Sequence, residues 1–395
     1  MRKTTLCLTA VAVLLGAASA MALDGRTINV TPVAEENVYA PVSVPYDGEA
    51  PGGRIEVINE ATGESAPATV GGGKLTFIPS SIEGGEAQSY RVVVHPTNNP
   101  PRVRLELDED EGQVRVYLRD EHFTTYNFGP EMRMPILWPV RAEGGIDITR
   151  NFPLGEDEPV ESTDHPHHMS MYVTHGDVNG YDFWHSETKL SRNVEVESGD
   201  AYGIIRAENQ WVAEDDEIVL DEEREYRFYD GPASSRMFDV TVTLHANHGP
   251  VTFGDDKEGS FAFRIRPEIQ GNQAGVLTNS EGAQGESEVY GTPVDWMDYS
   301  GPVEGYGNRG IALMNYPGNF RKPAWHVRDY GLCAANFFAL QDVAGLDEDG
   351  SYTLEEGDSL TIIMRHYVHS GDVVEAGVAG RFAAFAYPPS ASFDE

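Results

Sequence analysis

The chain has 395 residues, of which 64 are Asp or Glu and only 28 are Lys or Arg, so its formal net charge at pH 7 is −36. A surface with this excess of negative charge repels nucleic acid and anionic membranes, and we expect neither as a partner. The length exceeds that of one ordinary domain, and two domains are therefore expected.

The first 20 residues have the pattern of a cleaved secretory signal. Arg2 and Lys3 are positively charged, residues 6–18 form an uncharged and mostly apolar run, and residues 18–20 (Ala-Ser-Ala) form a small-x-small cleavage site. The apolar run is too short to span a bilayer, and no later segment is apolar enough to do so. We therefore expect an exported protein, secreted or periplasmic, without an integral membrane segment.

Residues 24–100 are predicted to form a small N-terminal β-sandwich module. Short strand-like stretches are separated there by turns, one of which is the Gly-Gly-Gly at residues 71–73. Residues 98–101 (Asn-Asn-Pro-Pro) then have the composition of a linker. Nothing in this module carries obvious chemistry.

Residues 102–390 are predicted to form one large β domain. Apolar and polar residues alternate with a period of two in several segments, among them residues 114–119, 238–245, 261–266 and 360–366. This period is typical of half-buried antiparallel strands, and no segment of helical length shows a convincing helical period. The fold class predicted from the sequence is therefore all-β.

Five of the twelve His residues lie between positions 165 and 185. If residues 168–174 form a strand, Met169, Met171 and Val173 share an apolar face, whereas His168 lies on the polar face. His175 follows at the strand end, where catalytic groups often lie.

Histidine is the side chain best suited to transfer protons near neutral pH. We therefore predict His168 and His175 as acid and base, with Asp164 or Asp177 orienting an imidazole. His165 and Asn179 are candidate substrate ligands in the same stretch. Two other interpretations stay open: a metal site at His165, His168 and His175, and a structural cluster that satisfies buried backbone groups.

A charged turn at residues 255–258 leads into the strand predicted at residues 261–266. Glu258 stands at the mouth of that strand and is a candidate general acid or base. Arg264 lies on a strand face that cannot be ordinary core, and it is a candidate ligand for substrate oxygens. A solvated turn with surface arginines is the alternative.

Aromatic residues accompany polar groups later in the chain. Trp184, Trp296 and Tyr299 are predicted to form a platform for a sugar ring, because aromatic faces stack on the apolar faces of sugars. His326 and Arg328 are predicted to bind substrate oxygens beside it. The alternative for the aromatic residues is an ordinary place in the core.

These motifs, in this order, resemble the PmoA-like family of secreted bacterial proteins, which is often labelled the methane oxygenase PmoA family. The matching segments, spread over residues 120–375, include residues 164–168 (Asp-His-Pro-His-His), 175–180, 257–259 and 325–328 (Trp-His-Val-Arg). The resemblance implies a large β-supersandwich akin to that of galactose mutarotases, and chemistry on sugars.

The methane oxygenase label does not fit the sequence. The monooxygenase subunit of that name is a multi-helix membrane protein that works with copper, whereas this chain has the pattern of strands throughout.

The sequence thus predicts an exported carbohydrate-active enzyme with a part in polysaccharide degradation. It would use His and Glu as general acid and base in a lyase, hydrolase or epimerase reaction, with no cofactor. The alternatives are a non-catalytic carbohydrate-binding protein and a metal-dependent enzyme built on His165, His168 and His175.

Overall fold

The computed structural model describes residues 23–33, 36–84, 86–97, 99–155, 161–214 and 216–394. The secretory signal predicted over residues 1–20 lies outside the described residues. Within the described part, no helix is long and apolar enough to cross a membrane.

The strands of the N-terminal hundred residues are β1 (Thr27–Thr31), β2 (Glu36–Val38), β3 (Val42–Pro45), β4 (Arg54–Asn59), β5 (Ser65–Gly71), β6 (Lys74–Phe77), β7 (Ser81–Glu83) and β8 (Gln88–His95). Next come β9 (Val103–Asp108), β10 (Gln113–Leu118), β11 (Glu121–Asn127), β12 (Ile136–Ala142), β13 (Ile146–Asp147), β14 (Met171–His175), β15 (Asp177–Val178) and β16 (Tyr181–Asp182). Long strands follow in β17 (Thr188–Glu197), β18 (Tyr202–Val212), β19 (Ile218–Tyr229) and β20 (Ser235–His245), then β21 (Val251–Phe253) and β22 (Gly259–Arg264).

The remaining strands are β23 (Val276–Asn279), β24 (Trp296–Val303), β25 (Gly307–Asn315), β26 (Ala324–Val327), β27 (Leu332–Asn336), β28 (Tyr352–Leu354), β29 (Ser359–Ser370) and β30 (Ser390–Phe393). The helical elements are a 3-10 turn at Pro267–Ile269, the short helix α1 (Glu286–Val289) and the helix α2 (Val378–Ala386).

The N-terminal strands form one antiparallel sheet in the order β3-β6-β5-β4-β8-β1-β30. Its last member comes from the C-terminal end of the chain, where Phe393 of β30 pairs with Ile28 of β1. The rings of Tyr46 and Phe393 contact each other at 6.2 Å between centroids, so the two edges of the sheet approach each other. The unit predicted at residues 24–100 therefore shares a sheet with residues 390–393.

Two large antiparallel sheets hold most of the remaining strands; a four-stranded sheet (β16-β15-β21-β28) and the pair β2-β7 hold others. One has nine strands, in the order β26-β27-β22-β14-β12-β11-β10-β9, with β13 beside β12; the other has eight, in the order β17-β18-β19-β20-β29-β25-β24-β23. They pack face to face: the ring of Phe123 in β11 lies 6.1 Å from that of Phe228 in β19 and 5.9 Å from that of Phe238 in β20. The predicted all-β class and its sandwich of antiparallel sheets are confirmed.

The direction of the side chains on β14 follows the prediction in part. Met171 and Val173 lie in the main core between the two large sheets. The expectation that Met169 joins them is wrong, because Ser170 has a positive φ of 55° and the strand begins only after it. Met169 packs instead near Tyr172, in a second apolar cluster on the opposite face of the sheet. The candidate functional site lies on that outer face.

Candidate functional site

One row of side chains crosses the outer face of the nine-stranded sheet. Ala334 of β27 pairs with His326 of β26 on one side and with Ala262 of β22 on the other. Ala262 pairs in turn with Tyr172 of β14. Directly paired residues project from the same face of a sheet. Because the two alanines project only a methyl group each, they leave room above the sheet between His326 and Tyr172.

A cleft of about 490 Å³ opens over this face. Its volume lies within the range of about 300–1,000 Å³ that is typical of small-molecule sites. The lining is polar and rich in titratable groups: His165, His167, His168, His185, Lys257, Glu258, Glu286, His326, Arg328 and Tyr330. Of the residues predicted from the sequence, His165, His168, Glu258, His326 and Arg328 are brought together here.

Two buried arginines hold the histidine-bearing segment from below. Arg150 Nη1 donates to the carbonyl and the carboxylate of Asp164, and its Nη2 donates to the carbonyls of His165 and His168 at 2.7 and 2.9 Å. Arg264 Nη2 donates to Asp164 Oδ1 at 3.0 Å. Burial, and after it the neighbouring Arg264, lowers the pKa of Arg150 to about 10. Asp164 is thus the counter-ion of both arginines and does not line the cleft, and its other oxygen, Oδ2, lies 3.1 Å from His165 Nδ1, in a position to orient that imidazole.

Arg264 also decides the protonation of His168. Its Nη1 lies 3.2 Å from His168 Nδ1, and because a guanidinium can only donate, Nδ1 accepts and the ring proton is on Nε2. The pKa of His168 is lowered well below its usual range, chiefly by burial and next by His167 and Arg264. His168 is therefore a neutral hydrogen-bond donor. Unlike His168, Arg264 does not line the cleft; it lies behind His168 and orients it, so it does not have the predicted role of a substrate ligand.

His326 has the opposite tautomer. Its Nδ1 lies 2.9 Å from the carbonyl oxygen of Lys257, which can only accept, so Nδ1 carries the proton and Nε2 keeps a lone pair. Burial lowers the pKa of His326 to about 4, and the nearby Arg328 contributes. The ring is thus neutral at pH 7 and offers Nε2 as a base.

Glu258 stands beside His326 at the start of β22. Its backbone is held by two hydrogen bonds, from Gly176 N to its carbonyl at 2.6 Å and from its own N–H to Asp256 Oδ1 at 2.7 Å. The carboxylate oxygen Oε2 is buried without a hydrogen-bond partner and lies 3.8 Å from His326 Nδ1. Burial raises the pKa of Glu258, while Lys257 opposes that shift. A buried carboxyl with a raised pKa is suited to act as a general acid.

Stacked rings form one wall of the cleft. The rings of His165, His168 and Tyr330 are nearly parallel to one another, with centroids 4.9 Å (His165–His168), 5.2 Å (His165–Tyr330) and 6.3 Å (His168–Tyr330) apart. The His167 ring meets that of His185 edge-on at 4.3 Å. Burial, and then His185, lowers the pKa of His167 to about 4. Tyr330 is therefore the aromatic side chain that the cleft offers to a ligand.

Three predicted residues of the histidine segment lie elsewhere. His175 is buried, with Nε2 bonded to the Gly254 carbonyl at 2.8 Å and its ring packed against Phe338 at 5.0 Å. It does not line the cleft, so the expected pair of His168 and His175 is not assembled. Asp177 caps the backbone N–H of Gly180, and Asn179 bonds to the backbone of Thr252, so both organise a turn.

The predicted ring platform is also not assembled. Trp184 lies beneath His168, with ring centroids 5.6 Å apart, and is fully buried. Trp296 belongs to a different apolar cluster, with Met314 of the eight-stranded sheet. The Tyr299 hydroxyl is used internally, where it donates to the carbonyl of Asp329 at 3.0 Å. These three aromatic residues have the core role that the sequence left open.

Several residues of the cleft were not among the predicted site residues. His167, His185, Glu286 and Tyr330 line it, and Arg150 supports it. Tyr330 could have been predicted from the sequence, because it follows closely after the motif at residues 325–328. No pattern in the sequence marks Arg150 as part of the site.

Among the residues described, no three or more His, Cys, Asp or Glu side chains are arranged to hold a metal ion. The metal alternative at His165, His168 and His175 also lacks its third member, because His175 is buried away from the cleft.

The sequence matches the model of a family of unknown function, DUF6807, over residues 113–383. The chain belongs to this family. Every residue that lines the cleft falls within the matched segment. Among proteins of curated function, none matches this sequence.

Two solved structures are similar in outline. An α-mannosidase from Enterococcus faecalis V583 has 10% identity and a TM-score of 0.39 and covers 94% of this chain, which spans 46% of the mannosidase. A galactose mutarotase related enzyme from Lactobacillus acidophilus has 12% identity and a TM-score of 0.24, with coverage of 69% of this chain and 96% of that enzyme. Neither likeness carries an argument about function. The mutarotase-like fold and the PmoA-like name that were expected from the sequence both stay predictions.

Proposed function

We propose that the chain is a carbohydrate-active enzyme that transfers protons in this cleft, with His326 as the base and Glu258 as the acid. One observation carries the proposal: a neutral imidazole with a free Nε2 lone pair stands beside a buried carboxyl oxygen that has no hydrogen-bond partner. A carboxyl oxygen left unpaired in the interior is costly, and such groups are concentrated at sites that use them.

The order of the two pKa values supports these roles. The pKa of His326 is lowered to about 4, and that of Glu258 is raised above its ordinary value of 4.5. Lowering the pKa of the base and raising that of the acid both favour the state in which the base is unprotonated while the acid still holds its proton. If the pKa of the base were higher than that of the acid, the state with a free base and a protonated acid would be a minor species at every pH.

His168 supplies a third function. Its Nε2–H is a neutral donor whose orientation is fixed by Arg264 and by the stacked ring of His165. A preorganised donor of this kind stabilises negative charge that develops on a substrate oxygen. Because His168 stays neutral, it stabilises that charge without giving up its proton.

The substrate proposed for this cleft is a sugar or an oligosaccharide. The lining consists almost entirely of hydrogen-bonding side chains, which suits a ligand covered with hydroxyl groups, and Tyr330 provides one ring surface. We retain the exported location predicted from residues 1–20 as part of this proposal. Binding without turnover is the alternative that the experiment must separate.

The test is a screen of purified protein against a panel of oligosaccharides and polysaccharides, with products detected by mass spectrometry. Glu258→Gln and His326→Gln should each lower the rate by about 10²- to 10⁴-fold on a substrate that the wild type converts. The exposed Glu304 and the partly exposed His95, both outside the cleft, are the matched controls when changed to Gln and should leave the rate within a few-fold.

Two outcomes would contradict the proposal. If both cleft variants keep the wild-type rate, the assigned acid and base are wrong. If a glycan binds saturably to the wild type and no product forms, the site is a binding site and not a catalytic one. Circular dichroism and thermal unfolding of each variant show whether a loss of rate is a loss of fold.

A further inference from the structure

We propose that the sugar bound here carries a carboxylate, as a uronic acid does, and that Lys257 and Arg328 bind it. This inference rests on the proposed function, because it names the substrate class of the same cleft. It starts from a contrast: a chain with 64 acidic and 28 basic residues would repel an anionic ligand almost everywhere, so a site for one needs its own cations.

Lys257 is the less engaged of the two cations. Its side chain is 50% exposed on the cleft wall, and the carboxylate oxygen paired with its Nζ, Glu258 Oε1, is 3.8 Å away. The backbone of Lys257 is fixed, because its N–H donates to Asp342 Oδ2 and its carbonyl accepts from His326 and Asn336. The ammonium group is thus carried on a rigid base next to the proposed acid and base.

Arg328 is held in place without being saturated. Its Nη1 donates to Glu286 Oε1 at 3.0 Å, and its guanidinium lies 4.7 Å above the ring of Tyr290. Glu286 also accepts the backbone N–H of Asp329 at 2.6 Å, so its charge is shared with the backbone. A guanidinium has five donors in a planar fork that matches a carboxylate, and one of them is committed to Glu286.

The carboxylates around the cleft are largely occupied by the protein itself. Each of the following accepts hydrogen bonds from backbone N–H groups or from arginine: Asp164, Asp182, Asp256, Asp342 and Glu286. Among the described lining residues, Glu258 is the carboxyl with a buried unpartnered oxygen; burial raises its pKa, Lys257 opposes that shift, and the two side chains are 3.8 Å apart. The groups left to meet a ligand's anion are therefore the two cations and the Nε2–H of His168.

A carboxylate at this place has a chemical consequence that a neutral sugar lacks. When Lys257 and Arg328 neutralise it, the hydrogen on the adjacent ring carbon, C5, becomes more acidic. His326 Nε2 removes that proton, and the electron pair of the C5–H bond forms a C4=C5 double bond. The C4–O bond breaks, and the leaving oxygen takes the proton of Glu258. The products are an unsaturated uronate and a free hydroxyl, and no co-reactant is needed.

The same cations tie the strength of the base to the presence of the substrate. Arg328 and Lys257 are among the causes that lower the pKa of His326. A bound carboxylate offsets their charge, which raises the pKa of His326 and makes it a stronger base in the complex than in the free protein. A sulfated sugar would also bind to the cations, but a sulfate ester does not acidify the hydrogen on the carbon bonded to it. The proposed anionic group is therefore a carboxylate.

The experiment compares uronic acid oligosaccharides with the same oligosaccharides after chemical reduction of their carboxyl groups. Product is followed by the ultraviolet absorbance of the unsaturated uronate and by mass spectrometry, and binding is followed by calorimetry with glucuronate and galacturonate. The acidic form should be converted and the reduced form should react at least about 100-fold more slowly. Lys257→Gln and Arg328→Gln should each raise KM about 10- to 100-fold, since a charge-assisted hydrogen bond is lost. Lys322→Gln, exposed outside the cleft, is the control.

The results separate this inference from the proposed function. If neutral sugars are converted with full dependence on Glu258 and His326, the substrate class is wrong and the proposed function stands. If uronates bind through Lys257 and Arg328 without product, carboxylate binding stands and the proposed function fails. If glucuronate and galacturonate neither bind at millimolar concentration nor react as oligomers, this inference is overturned.

Discussion

Acidification should reveal the neutral state of His326 even before a substrate is known. Burial lowers the pKa of this imidazole from its ordinary 6.5 to about 4 in the folded protein, whereas the unfolded chain takes up a proton near 6.5. Since the folded pKa is the lower one, the unfolded state binds more protons below 6.5. The contribution to stability is complete above pH 6.5 and is lost as the pH falls towards about 4.

The size of the effect follows from the two pKa values. One pKa unit corresponds to about 1.4 kcal/mol, so a pKa lowered from 6.5 to about 4 corresponds to about 3 kcal/mol of folding free energy. His326 is almost fully buried, so solvent screening removes little of this. In His326→Gln the titrating group is absent, and the contributions of the other buried histidines are common to both proteins. The free energy of unfolding of the wild type should therefore fall by about 3 kcal/mol more than that of the variant between pH 7.5 and pH 4.

Urea denaturation at several pH values measures this difference, with Lys322→Gln as a control for a substitution on the surface. Histidine NMR provides a direct second reading, because the resonance missing from His326→Gln should titrate with a midpoint near 4. An identical pH dependence in wild type and variant, or an His326 resonance that titrates near 6.5, would refute the reasoning. It would also remove His326 as a neutral base of the kind that the proposed mechanism uses.

Three further outcomes are expected. First, kcat/KM should rise as the pH rises through about 4, where His326 loses its proton, and should fall again above the raised pKa of Glu258. Glu258→Gln should abolish that fall. A pH profile that this variant leaves unchanged would contradict the assignment. Second, Arg264→Met should destabilise the fold by about 1–3 kcal/mol in thermal unfolding, because its buried hydrogen bonds are lost. The surface change Arg206→Met should cost about 0–1 kcal/mol. Equal effects would mean that the hydrogen bonds of Arg264 to Asp164 and His168 do not stabilise the fold. Third, Trp296→Ala should destabilise by about 3–5 kcal/mol and leave the KM of the folded protein unchanged, so a specific loss of binding would restore the predicted platform.

The period-two alternation of apolar and polar residues predicted part of the fold correctly and one residue wrongly. Alternation of apolar and polar residues predicted an all-β protein, and the two large antiparallel sheets confirm it. It also assigned Met171 and Val173 to the core. It failed two residues before Met171, at Met169, because alternation presumes extended backbone, and Ser170 has a positive φ. Alternation therefore predicts the face of a side chain only within a strand whose ends are known.

The sequence also predicted the candidate site only in part. The sequence marked the histidine segment, the turn with Glu258 and the motif with His326 as places of chemistry, because such residues seldom crowd into a β domain without a reason. It could not assign partners, and it paired His168 with His175, which lies buried beside Phe338. The proposed partner of Glu258 is His326, which is distant in sequence and adjacent only through the pairing of β26, β27 and β22.

The sequence by itself thus determined the fold class, the apolar face of β14 and the segments from which the cleft is built, since these depend on local composition and period. The tertiary structure alone decided which histidine is a donor, which is a base and which is core. Those states depend on the atom that each ring nitrogen meets: a guanidinium for His168, a carbonyl for His326 and another carbonyl for His175. Each of these partners comes from a distant part of the chain, and no local pattern in the sequence records it.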